Sequence, residues 1–87
     1  MLDIKVLGPG CANCKKVEAI AQQAVLAMGV EANIAKVTRI EEILEYNLLS
    51  TPGLVVNSKV VCSGRVPSPA EVTIWLADAL EAALHAN

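Results

Sequence analysis

The stretch of sequence that determines the predicted fold is Gly8-Pro9-Gly10-Cys11-Ala12-Asn13-Cys14. Before it, apolar and charged residues alternate loosely from Leu2 to Leu7, which predicts a short β-strand. From Ala12 to Met28, apolar residues recur at helical spacing, which predicts an α-helix. The glycines and the proline between them interrupt both patterns. The two cysteines are therefore predicted to lie where a strand gives way to the N-terminal end of a helix.

This placement favours redox chemistry at Cys11 and Cys14. The first turn of a helix presents unpaired N–H groups and the positive end of the helix dipole, which stabilise a thiolate and lower the pKa of a thiol. Cys14 follows one helical turn later, within reach of a disulfide with Cys11. We expect Cys11 to attack a substrate disulfide and Cys14 to resolve the mixed disulfide. Zinc and copper sites use the same C-x-x-C spacing.

The middle of the chain predicts a second strand and a second helix. The strand covers Glu31 to Val37. Thr38-Arg39-Ile40-Glu41 has the pattern of a capping box, in which the Thr hydroxyl and the Glu carboxylate each bond to the other residue's backbone N–H. A short helix through about Asn47 should follow, with three apolar residues facing inward: Ile40, Ile43 and Leu44.

The C-terminal half predicts a β-hairpin and a third helix. The runs Leu54–Val56 and Lys59–Cys62 are separated by Asn57-Ser58, a spacing that fits a tight two-residue turn. Ser68-Pro69-Ala70-Glu71 is a second capping box, with proline at the first helical position. The last helix runs to about Ala83 and places these residues on one face: Val72, Trp75, Leu76, Ala79, Leu80 and Ala83.

The predicted element order, β-α-β-α-β-β-α, indicates an α/β fold with a four-stranded mixed sheet. Two βαβ crossovers predict parallel pairings, and the hairpin adds an antiparallel one. Helices should cover both faces of the sheet. The chain has 87 residues, too few for two cores of ordinary size, so we expect a single domain over residues 1–87.

Composition excludes several classes of protein. With 54% hydrophobic and 18% charged residues, the chain is not intrinsically disordered. A net charge of −2 and a pI of about 5.2 argue against a nucleic-acid-binding or membrane-binding surface. The longest uncharged run, Tyr46 to Ser58, is too short to cross a bilayer. The N-terminus has no signal-peptide pattern, so we expect a cytoplasmic protein whose three cysteines are mostly reduced.

A further motif, Ser50-Thr51-Pro52, precedes the third predicted strand. With it, the chain resembles the thioredoxin-like superfamily, which has a C-x-x-C after its first strand and a proline before its penultimate strand. It is most similar to the small thioredoxin/glutaredoxin-like redox-disulfide proteins of bacteria and archaea. Their segments G-P-G-C-x-x-C, S-T-P-x-L-V-[VI]-[ND]-x-K-V-V and S-G-R-V-P-S correspond to residues 8–14, 50–61 and 63–68.

The resemblance implies a thioredoxin-like fold and a thiol–disulfide oxidoreductase. It also implies that the bond before Pro52 is cis, that Pro52 packs against the cysteine pair, and that the backbone of Thr51 meets an extended substrate segment. Gly64 would complete this substrate groove, and Pro9 and Gly10 would let a partner approach closely. The implied partners are a thioredoxin-reductase-type electron donor and proteins that contain disulfides. No bound cofactor is required.

The sequence departs from thioredoxin in two respects, and a second function stays open. Gly10 stands where thioredoxin has a tryptophan, and no residue clearly matches the buried acid that assists the second cysteine. The alternative is a Cu(I) or zinc carrier, since heavy-metal-associated domains place a C-x-x-C after a first strand. Those domains have a Met where Pro9 stands, however, and a β-α-β-β-α-β order. Cys62 is interpreted as a small buried residue, and His85 as solvated.

Overall fold

The computed structural model describes residues 2–10, 12–47 and 50–85, with side chains through residue 82. Its element order is the predicted one. None of the helices in these ranges is long and apolar enough to span a bilayer. The elements are β1 (Leu2–Leu7), α1 (Ala12–Met28), β2 (Ala32–Val37), α2 (Ile40–Leu44), β3 (Gly53–Val56), β4 (Lys59–Ser63) and α3 (Pro69–His85).

The four strands form one mixed sheet in the order β2-β1-β3-β4. β1 and β2 are parallel, as the first crossover predicts. The parallel pairing predicted for the second crossover is wrong, because β3 runs antiparallel to β1, with Gly53 opposite Leu7. Gly53 begins β3 opposite Leu7, the last residue of β1, and Leu7 is paired with Val37, the last residue of β2. The chain therefore enters β3 at the end of the sheet where β1 and β2 finish.

The helices cover both faces of the sheet, as predicted, and alternate residues of β1 point to the two sides. The face under α1 and α3 carries the larger cluster of buried residues: Leu2, Ile4, Val6, Val17, Ala21, Ala24, Leu54, Val56, Cys62, Val72 and Leu76. The face under α2 carries the smaller cluster: Leu7, Val37, Ile43 and Val55. Aliphatic side chains thus form both layers of the core, as expected of a chain without phenylalanine.

The capping box predicted at Thr38–Glu41 is wrong. Arg39 is the N-cap of α2, and its side chain makes no capping hydrogen bond. The Arg39 guanidinium instead forms loose ion pairs, 3.7 Å from the carboxylate of Glu41 and 4.0 Å from that of Glu42. Two of the three residues predicted to face inward are exposed, Ile40 by 59% and Leu44 by 65%. A helix of little more than one turn directs a single residue, Ile43, into the core.

The C-terminal capping box and the hairpin are confirmed. The backbone N–H of Glu71 donates to Ser68 Oγ at 3.2 Å, and that of Ser68 donates to Glu71 Oε1 at 3.0 Å. Asn57 and Ser58 have φ of 50° and 68° and join Val56 directly to Lys59, as in a type I′ turn. Val72 and Leu76 are buried at the centre of the apolar face of α3, and the predicted contact of Ala83 lies outside the described side chains.

Candidate functional site

Cys14 lies in the first turn of α1, and its side chain is only 5% exposed. Cys11 immediately precedes α1 in the sequence and lies outside the described residues. The thiolate predicted for Cys11 therefore stays a prediction. The structure places the second cysteine of the motif at the edge of the core, where the end of β1 meets the start of α1.

Gly8 provides the space for the sulfur of Cys14. A Cβ atom at position 8 would overlap Cys14 Sγ, and it would lie 3.4 Å from Cys14 Cβ and 3.8 Å from Thr51 Cβ. The Gly8 backbone is held in place, because its N–H donates to the carbonyl oxygen of Val37 at 2.9 Å. Gly8 therefore brings Cys14 and Thr51 to one place. Sequence reasoning interpreted Gly8 only as the end of a strand.

The segment that contains Thr51 and Pro52 lies beside this sulfur. The Thr51–Pro52 peptide bond is cis, Pro52 is buried, and Thr51 is exposed. Gly64 joins them, because its N–H donates to the carbonyl oxygen of Pro52 at 2.9 Å. Gly64 has φ of +78°, and a Cβ there would overlap Ser50 Oγ. Three of the predicted groove residues, Thr51, Pro52 and Gly64, thus come together.

Pro9 and Gly10 form the exposed connection between β1 and the cysteine motif. Gly10 has φ of +94°, a backbone conformation that glycine adopts readily, and apart from its own residue and chain neighbours none of the atoms that the structure describes lies within 4 Å of the position its Cβ would take. This connection is open to an approaching molecule. Neither residue makes a described contact with the Thr51–Pro52 segment.

An ion pair links the connection between β4 and α3 to the first turn of α3. The two guanidinium nitrogens of Arg65 donate to the two carboxylate oxygens of Glu71, at 2.9 and 2.7 Å. These bonds and the one from the Ser68 N–H lower the pKa of Glu71 from 4.5 to about 2. Sequence reasoning identified Glu71 only as a capping residue. Opposite charges six positions apart are a weak signal, and nothing in the sequence alone ties them to Pro52.

Cys62 belongs to the larger core cluster, at the position on β4 opposite Leu54. Its Sγ–H donates weakly to the carbonyl oxygen of Arg65, at 3.7 Å. Burial among aliphatic side chains is what a small structural residue requires. Within the ranges that the structure describes, no three His, Cys, Asp or Glu side chains come together as metal ligands.

A separate groove of about 380 Å³ lies between β4 and the C-terminal part of α3. It is at the end of the sheet where β1 begins, because Val56 pairs with Ile4 there. Gly8 and Cys14 lie at the other end, so the groove is remote from the cysteine motif. Its lining residues are Val56, Asn57, Lys59, Val61, Trp75, Asp78, Ala79 and Ala82.

Comparisons with known proteins agree with this arrangement. Residues 2–77 match the family model described as a thioredoxin domain. The thioredoxin of Methanothermobacter thermautotrophicus is 39% identical over 72 residues, which cover 83% of this chain and 94% of that protein. The thioredoxin of Methanocaldococcus jannaschii is 35% identical over 81 residues, which cover 93% of each chain. With its thioredoxin-like sheet and helices, the chain belongs to the thioredoxin family.

Proposed function

We propose that this protein is a thiol–disulfide oxidoreductase that exchanges a Cys11–Cys14 dithiol with disulfides in other proteins. The observation that carries the proposal is that Cys14 and Thr51 meet at Gly8. The Cys14 sulfur fills the space that a Cβ of residue 8 would take, and Thr51 Cβ lies 3.8 Å from that Cβ position. Cys14 lies in the first turn of α1, beside the exposed Thr51, and Cys11 immediately precedes that helix in the sequence, where a thiol is suited to attack an incoming disulfide. The family assignment supports a redox function of this kind.

The exchange takes place in two steps. The thiolate of Cys11 bonds to one sulfur of the substrate disulfide, and the other substrate sulfur leaves as a thiolate that takes up a proton. The thiolate of Cys14 then bonds to the Cys11 sulfur and displaces the second substrate sulfur, which is protonated in turn. Two electrons pass to the substrate, and the protein is left with a Cys11–Cys14 disulfide.

The substrate binds against the Thr51–Pro52 segment, which lies beside Cys14 at Gly8. The exposed backbone of Thr51 pairs with an extended stretch of the substrate, as in strand addition. The hydrogen bond of 2.9 Å from the Gly64 N–H to the Pro52 carbonyl oxygen supports that backbone. Pro9 and Gly10, exposed and without bulky side chains, let the substrate approach the cysteines.

A reductase of the thioredoxin-reductase type returns the two electrons to the Cys11–Cys14 disulfide, and no cofactor bound to this chain takes part. The substrates are proteins with accessible disulfides. The compartment we propose is the cytoplasm, since a dithiol used as a reductant must be regenerated where thiols are kept reduced.

Reduction of an insulin-type disulfide by three single variants tests the proposal. Cys11→Ser should abolish reduction, because the attacking thiolate is lost. Cys14→Ser should retain the first attack and accumulate a mixed disulfide of protein and substrate, detectable as a covalent adduct on a non-reducing gel. The control is Cys62→Ala, which changes a core thiol and should retain most of the activity. Full activity of Cys11→Ser would refute the assignment.

A further inference from the structure

We infer that Arg65 and Glu71 are positioning residues that hold the Thr51–Pro52 segment ready for a protein substrate. The inference rests on the proposed function and deepens it, because it concerns how the same site distinguishes protein disulfides from small ones. Neither residue touches the reacting sulfurs in this assignment. Both act through the connection between β4 and α3, residues 64–68.

The Arg65–Glu71 ion pair anchors this connection to α3. Arg65 forms a two-pronged bond with the Glu71 carboxylate, at 2.9 and 2.7 Å, the geometry in which arginine holds a carboxylate most firmly. The same carboxylate accepts the backbone N–H of Ser68 at 3.0 Å. The Arg65 side chain is thereby fixed to the first turn of α3, whose position the packing of Val72 and Leu76 determines.

The N-terminal end of the connection is hydrogen-bonded to the Thr51–Pro52 segment. The Gly64 N–H, one residue before Arg65, donates to the carbonyl oxygen of Pro52 at 2.9 Å. The Arg65 carbonyl oxygen accepts the Cys62 thiol, and Pro67 is fully buried. A continuous set of bonded contacts therefore runs from Glu71 through Arg65 and Gly64 to Pro52.

The side chains of Arg65 and Glu71 are 54% and 38% exposed, so solvent screens the ion pair and reduces its contribution to the free energy of unfolding. What the pair restrains is the path of the backbone at Gly64. Loss of the pair frees Gly64 to leave Pro52, and an extended substrate must then order the Thr51–Pro52 backbone when it binds.

This mechanism predicts a difference between two kinds of substrate. A folded protein with a disulfide needs the ordered backbone of Thr51, whereas a small disulfide such as bis(2-hydroxyethyl) disulfide needs only the cysteine thiolate. Removing the ion pair should therefore lower kcat/KM for insulin about fivefold and leave the rate with the small disulfide unchanged. The pKa of the attacking thiol, measured by the pH dependence of its alkylation, should also stay the same.

The experiment compares wild type with Arg65→Met, Arg65→Lys, Glu71→Gln and the control Arg39→Met. Arg65→Met and Glu71→Gln should show the selective loss with insulin. Arg65→Lys keeps one charged hydrogen bond and should recover part of the rate. Arg39 is also exposed and also pairs with carboxylates, but it lies at the start of α2, so Arg39→Met should match wild type with both substrates.

Amide hydrogen exchange at Gly64 provides a second, activity-independent measurement. The Gly64 N–H should exchange several times faster in Arg65→Met than in wild type, while amides in the centre of β1 keep their rates. Equal losses with insulin and the small disulfide, or unchanged exchange at Gly64, would overturn the inference. If wild type reduces neither substrate, the proposed function itself is wrong, and the exchange result still decides whether the ion pair restrains Gly64.

Discussion

The sulfur of Cys14 occupies the space that a side chain at position 8 would fill, so Gly8 and Cys14 form a single packing unit. The unit joins the end of β1 to the first turn of α1. Thr51 lies next to this unit, with its Cβ 3.8 Å from the position that a Cβ of residue 8 would take. A change at Gly8 should therefore affect both the packing and the chemistry of the site.

Gly8→Ala should lower stability and activity together. The new methyl group overlaps Cys14 Sγ and must displace it, and overpacking of this kind costs about 1–3 kcal/mol of the free energy of unfolding. A displaced thiol also meets its partner sulfur poorly, so reduction of insulin should slow by roughly tenfold or more. Urea unfolding of the reduced protein and the insulin assay measure the two effects.

Gly29→Ala is the matched control. Gly29 has φ of +66°, and beyond its chain neighbours no described atom lies within 4 Å of its Cβ position, so alanine there meets backbone strain and no overlap with the described residues. It should cost about 1 kcal/mol and leave the insulin assay unchanged. Equal losses of activity in the two variants would mean that Gly8 acts through overall stability and not through Cys14.

Gly64→Ala and Ser50→Ala should be energetically coupled. Alanine at position 64 brings a Cβ onto Ser50 Oγ in addition to the strain of φ at +78°. Removing the hydroxyl relieves the overlap but not the strain. The double variant should therefore be more stable than the sum of the two single effects, by about 1 kcal/mol. A double-mutant cycle from urea unfolding measures this coupling, and strict additivity would contradict the contact.

Acid should progressively remove the stabilising effect of Glu71. The pKa of Glu71 is lowered in the folded protein from 4.5 to about 2, first by the hydrogen bonds from Arg65 and then by the backbone N–H of Ser68. A lowered folded-state pKa gives stability that is complete above pH 4.5 and is lost as the pH falls toward 2. The group is exposed, so the effect is modest and weakens with salt.

Urea unfolding of wild type and Glu71→Gln between about pH 6 and pH 2 tests this. Wild type should be the more stable at the upper end, and the two curves should converge as the pH falls. Arg65→Met should show a smaller pH dependence than wild type, since the hydrogen bonds from Arg65 are lost and those with Ser68 remain. Parallel curves for wild type and Glu71→Gln would show that Glu71 titrates alike in the folded and unfolded states.

Ser58→Gly should stabilise the β3–β4 hairpin. Ser58 has φ of 68° in the type I′ turn, where glycine is preferred, and the gain in the free energy of unfolding should be about 0.5–1 kcal/mol. Asn57 also has a positive φ, but its side-chain oxygen accepts the N–H of Asp3 at 2.9 Å. Asn57→Gly loses that bond and should give no such gain. Thermal unfolding of both variants separates turn strain from the bond to β1.

Local patterns in the sequence predicted the long helices and the hairpin well. The apolar period of α1 and the glycine that ends it are properties of neighbouring residues, and Gly29 has the expected positive φ. The capping box at Ser68 formed because a long amphipathic helix follows it. The same pattern at Thr38 failed, because α2 has Arg39 at its N-cap position, one residue after the predicted cap.

Features that depend on distant residues were predicted poorly. The direction of β3 follows from where the chain returns to the sheet, which no local pattern encodes. Thr51 and Pro52 were identified through resemblance to a family, since an X-Pro bond is rarely cis by itself. The roles of Gly8 and of the Arg65–Glu71 ion pair were missed, because each depends on contacts with residues far away in the sequence.

The remote position of Trp75 has a practical consequence for measurements. The chain carries a single indole, which borders the groove at the end of the sheet away from Cys14. Its emission should stay constant when the thiols change oxidation state and should change when the polypeptide denatures. Intrinsic fluorescence of an unlabelled sample can therefore follow unfolding of the oxidised and of the reduced protein, with no correction for the oxidation state of the thiols.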